Sequence, residues 1–162
     1  MIRPFRLAVL AAAALAAAGC QKAAGPAPEA SATAPDAKPG LSLSGGRLVL
    51  PAIKGNPGAV YFVLTNGSAK TVTIAAFDVA GAGMAMLHET KEIAAHSTMM
   101  DMASPKLKPG ETLTLSPAAA HVMVDRIPAG LTPGGTVELT IVFADGDKLS
   151  APLAIEAPGG AN

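Results

Sequence analysis

His88, Met99, His121 and Met123 stand in the order His, ten residues, Met, twenty-one residues, His-x-Met. All four side chains are neutral metal donors, two imidazoles and two thioethers. Thioether sulfur is soft and selects Cu(I). A zinc site is expected to use thiolate, more imidazole or carboxylate instead. The chain has three histidines and one cysteine, and that cysteine, Cys20, lies far from the other donors. Metal held here would therefore be held without thiolate. In an extended strand residues two apart share a face, so His121 and Met123 can address one point while Val122 and Val124 point to the core. The same periodicity puts Met84, Met86 and His88 on one face. Methionine usually fills irregular gaps in a core, and Met84 and Met86 are read that way. Alternation separates Met99 from Met100 and Met102 but leaves open which side faces His88. Because imidazole binds metal only when deprotonated, such a site weakens in acid. Four neutral ligands leave the ion's charge uncompensated, which favours a site near the surface and release to a partner with thiolates.

The elements that position these residues follow from the rest of the chain. Arg3 and Arg6 precede an apolar run, Leu7 to Ala18, and then small residues, the order of a secretory signal over residues 1–19. The run falls short of the ~20 residues of a membrane-spanning helix. Leu15-Ala-Ala-Ala-Gly19-Cys20 resembles a bacterial lipobox, with Cys20 as the lipidated residue. Ala17 departs from the usual Leu, and Ala16-Ala17-Ala18 would also serve as an ordinary cleavage site. Either route implies export, to the periplasm and, with lipid, to a membrane surface. A lone cysteine makes no intramolecular disulfide there. Without the signal, ten basic residues face twelve acidic ones. With one Tyr, four Phe, no Trp and no basic run, nothing favours nucleic acid.

Residues 20–46 are rich in Ala, Pro, Gly and Ser, too poor in apolar surface to offset chain entropy, and are read as a flexible tether. A tether of that length would hold a domain roughly 25–30 Å from a lipid anchor. From Arg47 the pattern changes to short β-branched and apolar runs separated by turn residues, which predicts one all-β domain over residues 47–156, a sandwich or barrel, followed by a short tail at 157–162. The expected strands are Arg47–Ile53, Ala59–Asn66, Lys70–Val79, Met84–Ile93, Ser97–Met102, Glu111–Ser116, His121–Arg126, Thr136–Phe143 and Lys148–Ile155. Alternation is clearest at Val137, Leu139 and Ile141. Asn66-Gly67, Pro109-Gly110, Pro133-Gly134-Gly135 and Asp145-Gly146-Asp147 supply the turns.

The four-donor spacing resembles that of the periplasmic copper chaperones called PCu(A)C. The resemblance extends over roughly Arg47 to Ile155, through His88-Glu-Thr, the Met99-Met-x-Met102 cluster, Leu107-x-Pro-Gly-Glu-Thr and the strand Gly135–Phe143. It implies a cupredoxin-like Greek-key β sandwich and one Cu(I) per chain on His88, Met99, His121 and Met123. It also implies delivery of copper toward cytochrome c oxidase, with that oxidase's copper-bearing subunit or a Sco-type assembly protein as partner. Ala118-Ala-Ala120 and Asp125-Arg126 depart from the family pattern around His121, which bears on partner choice. The tail Glu156–Asn162 lacks His and Met, so no second copper site is expected there. An electron-transfer cupredoxin would need a Cys thiolate inside the β domain, and no Ser, His and Asp context suggests an enzyme; His96 is read as a loop or surface residue. The competing reading is a lipid-anchored β sandwich that binds protein or serves structure, with no metal role.

Overall fold

In the computed structural model residues 36–93 and 96–159 are described. They form ten strands, β1 (Leu41–Val49), β2 (Gly58–Asn66), β3 (Val72–Val79), β4 (Ala85–Ile93), β5 (His96–Asp101), β6 (Lys106–Leu107), β7 (Thr112–Thr114), β8 (Ala120–Val124), β9 (Thr136–Phe143) and β10 (Lys148–Glu156). Alternation decides what each strand buries. In β2 Val60, Phe62 and Leu64 turn inward, and in β9 Val137, Leu139, Ile141 and Phe143 do. Burying an aliphatic or aromatic side chain of this size contributes roughly 1.5–3 kcal/mol, so these rows choose the inner face of each strand.

The strand order is β5-β4-β8-β2-β1-β10-β9-β3-β6, and a further β4–β3 pairing, Phe77 opposite Ala85, closes seven of the strands into a barrel. All pairings are antiparallel except β1 with β10. The closure is local because β4 divides one edge between two neighbours. Its start pairs with β3, whereas His88–Ile93 pair with β5. Where β5 takes over, β3 and β4 splay, leaving a cleft of about 300 Å³ lined by Phe77, Ala85, Met86, Asp101, Met102 and Pro105, among others.

The first strand begins at Leu41, six residues before the expected domain start at Arg47. Leu41 pairs with Asn66 and Leu43 with Leu64, and a bulge with Gly45 at φ 61° lets the strand continue to Arg47. Two leucines alternating with serines are a real strand signal, but the Ala/Pro/Gly composition around them hides it. Order reaches further back still. Lys38 Nζ bridges Asp145 and Asp147 at 2.5 and 2.6 Å, and the Asp36 carbonyl accepts from Ser150 N–H at 2.8 Å. The last part of the expected tether is thus docked on the β9–β10 turn. The signal segment, Cys20 and residues 160–162 lie outside the described residues. His96, expected as a loop or surface residue, opens β5 opposite Ile93. The two-residue β6 was not foreseen; its only mark is Leu107, buried by pairing with β3.

Asn66, fully buried at the end of β2, holds the loops beneath the barrel. Its amide donates to the carbonyls of Lys70 at 2.8 Å and Leu107 at 2.9 Å, and its carbonyl oxygen accepts from Ser68 N–H at 3.0 Å and Ser68 Oγ at 2.7 Å. Removing a buried partner leaves the others unsatisfied, each at roughly 1–3 kcal/mol. Asn66→Ala should therefore lower the unfolding free energy by about 2–4 kcal/mol in urea denaturation; a loss below about 0.5 kcal/mol would show that the network contributes little.

Candidate metal centre

The antiparallel register of β4 and β8 sets His88 directly opposite His121 and Met86 directly opposite Met123. Between them Leu87, Val122 and Val124 are buried in the core, so the histidines and methionines take the outward face. The two imidazole centroids are 6.1 Å apart with the rings tilted by 58°. On the far side of β4, Asp101 of β5 stands opposite His88 and Met99 opposite Thr90, which puts Met99 on the same outward face and Met100 on the other. Alternation alone had left that side open. From β2, Tyr61 approaches His121 with centroids 6.2 Å apart, and the Arg47 guanidinium lies 5.0 Å from the Tyr61 ring centroid. Met99, His121, Met123, Thr90 and Tyr61 share a shallow depression of about 410 Å³. All four residues singled out by spacing therefore meet on one outer face. Cys20 is outside the described residues.

The site is unusual in its unspent donors. His88 and His121 are each 8% exposed, yet both ring nitrogens of His88 and Nδ1 of His121 lack a hydrogen-bond partner. The carboxylate of Asp101 approaches His88 Nε2 at 3.2 Å without hydrogen-bond geometry, and its side chain is largely exposed. Buried polar atoms are nearly always satisfied, so facing imidazoles with orphaned nitrogens ask for a ligand that accepts lone pairs. Burial, and then the neighbouring His88, hold the pKa of His121 below the ordinary imidazole value, which keeps it in the neutral, ligating form near pH 7. Among the described residues no group of three His, Cys, Asp or Glu side chains could hold a metal ion. The soft groups beside this pair are thioethers, those of Met86, Met99 and Met123, a donor type that suits Cu(I).

Met84 and Met86 are not core filler. They are 57% and 41% exposed and continue the outward stripe that ends in His88. Beyond them, Asp125 ties β4 to β8: its carboxylate accepts from the Met84 N–H, its own N–H donates to the Met84 carbonyl at 3.0 Å, and its carbonyl accepts from Gly83 N–H at 2.9 Å. A Cβ at Gly83 would meet the Asp125 carboxylate and the Arg126 guanidinium, so a larger residue there would have to displace those side chains. Arg126 then leaves the strand at φ 45°, a left-handed conformation uncommon for a non-glycine residue. Asp101 and Tyr61 were not foreseen as neighbours of the histidines. Asp101 is legible only once the β4–β5 register is known, and Tyr61 has no local signal because its neighbour lies sixty residues away.

Residues 41–155 match the model of a family described as LpqE-like lipoproteins. A protein of Leifsonia xyli subsp. xyli that carries the name lipoprotein Lxx21020 is 29% identical over 101 residues, covering 62% of this chain and 60% of that protein, so the match spans under two thirds of the relative. Among solved structures, the copper-bound PCuAC domain from PmoF2 aligns with a TM-score of 0.59 at 22% identity over 74% of this chain and 94% of that one. The apo PmoF2 PCuAC domain gives 0.61 at 20% identity over 78% and 98%. The CuI-DR1885 structure from Deinococcus radiodurans gives 0.51 at 24% identity over 77% and 81%. These likenesses establish the expected cupredoxin-like fold for the barrel.

The lowered pKa of His121 has a signed consequence for stability. An unfolded chain protonates this residue near pH ~6.5, whereas the folded chain does so only at lower pH. In that interval the unfolded state binds more protons, so stability rises with pH and falls as pH drops below about 6.5, levelling once the folded pKa is passed. Urea denaturation of the metal-free protein between pH 7.5 and about 5 should show this fall, and His121→Gln should flatten it. A profile equally steep in the variant would assign the effect elsewhere.

Proposed function

We propose, from the premise that this chain belongs to the LpqE-like lipoprotein family, that it is an exported metallochaperone binding one Cu(I) at His88, His121, Met99 and Met123. The observation that carries this reading is the cross-strand His88–His121 pair, buried, with unpartnered nitrogens, on an outer face that also bears thioethers. The copper-bound PCuAC domain and CuI-DR1885 named above share the fold and support the choice of ion. The lipoprotein names of the family and of the Leifsonia relative support export and lipidation at Cys20, after removal of residues 1–19.

The geometry suits carriage better than catalysis. The imidazoles come from paired strands and need little movement to bind, while Met99, 62% exposed, forms an outer wall that can swing away. Neutral donors hold Cu(I) without the strength of thiolates, so a recipient offering cysteines can take it. Asp101, close to His88, places a negative charge beside the ion, so its charge is not left wholly uncompensated. The recipient in our reading is the copper-bearing subunit of cytochrome c oxidase or a Sco-type assembly protein, reached from a membrane anchor at Cys20.

Anaerobic titration against a chromophoric Cu(I) competitor should give one ion per chain, and X-ray absorption should show mixed nitrogen and sulfur scatterers. The variant His88→Ala/His121→Ala should bind Cu(I) at least about 100-fold more weakly while keeping the β-sheet circular dichroism of the parent. Unchanged affinity, or a first shell of nitrogen and oxygen only, would sink the assignment.

A further inference from the structure

The outward face of β4, β5 and β8 carries a further thioether beside the four residues already assigned. Met86 stands directly opposite Met123, and two residues along β4 it precedes His88. Directly opposed residues of an antiparallel pair have Cβ atoms about 4.5–5.5 Å apart, and residues two apart on a strand are about 6.6–6.8 Å apart. Met99 stands farther off. It belongs to β5, one strand beyond β4, in the row of Thr90, and so lies past the imidazole pair from Met123. The two thioethers thus flank the histidines from opposite ends, and by register Met86 is the nearer to Met123 and His121. Nothing in the core claims Met86: its side chain is 41% exposed and lines the cleft shared with Asp101 and Met102, a cavity separate from the depression that Met99 lines. Methionine has three rotatable bonds, enough to turn from that cleft toward a neighbouring ion.

The geometry points to Met86 as a fifth copper donor that exchanges with Met99, so that Cu(I) stays on His88, His121 and Met123 while either thioether completes the shell. This rests on the Cu(I) site proposed above. Exchange involves no redox change and no proton: one neutral sulfur replaces another. It would let Met99 leave the ion toward a partner on one side without dropping the shell to three donors. Met84, further along the stripe and 57% exposed, extends the thioether surface outward from Met86.

Leucine is apolar and close to methionine in volume, and both positions are exposed, so the leucine variants should fold as the parent does. In the Cu(I)-loaded protein Met99→Leu should retain the sulfur scattering of the parent and lose no more than about tenfold in affinity, and Met86→Leu alone should change little. The double variant Met86→Leu/Met99→Leu should drop one sulfur from the first shell and weaken binding by about 100-fold or more, a loss greater than the two single losses multiplied. The exchange is overturned if Met99→Leu alone removes a sulfur, or if the double variant binds no more weakly than Met99→Leu. Failure of the underlying site would look different: binding would then survive His88→Ala/His121→Ala, whatever the methionine variants do.

Discussion

Everything at the candidate centre depends on the pairing register between β4 and β8. Because side chains alternate across a strand, a slip of one residue would turn His88 or His121 into the core and bring Leu87 or Val122 out to solvent. The core forbids this. Val122 and Val124 are fully buried and Leu87 nearly so, and losing that burial would cost several times what any surface contact could return. The far end is locked by the backbone and carboxylate of Asp125 against Met84 and the glycine at 83. The apolar face thus sets where the histidines and methionines of the outer face stand.

The division of β4's edge between β3 and β5 adds a second constraint. If β3 had continued along β4, the barrel would close more fully and β5 would have no place beside His88. Instead β5 brings Asp101 and Met99 against the outer face and opens the cleft into which Met86 looks. The imidazoles are therefore held by a rigid barrel wall on one side and by an edge hairpin on the other. The outer face therefore sets two imidazoles backed by the barrel wall beside thioethers that are exposed to solvent.

The electrostatic setting follows from the same placement. Burial and the opposing ring keep His121 neutral, and the guanidinium of Arg47, stacked against Tyr61, adds a positive charge on one flank while Asp101 adds a negative one on the other. None of these neighbours is close to the histidines in sequence except through the β4–β5 hairpin.

Period-two alternation made the strands legible, and β2 and β9 behave as their residues imply, since burying every second side chain is a local property of an extended chain. The residue types of the candidate centre were legible too: two imidazoles and two thioethers, with the single cysteine outside the β domain. Composition misled where it was averaged, hiding Leu41 and Leu43 in an Ala/Pro/Gly stretch and the Lys38 bridge to Asp145 and Asp147. What only the tertiary structure decided was register and sidedness: that His88 faces His121, that Met99 rather than Met100 shares their face, that Met86 opposes Met123, and that Asp101 and Tyr61 border the pair. Those facts are set by hydrogen-bonded pairing between strands distant along the chain, and a linear pattern carries the residue types and their spacing but not which strand lies beside which.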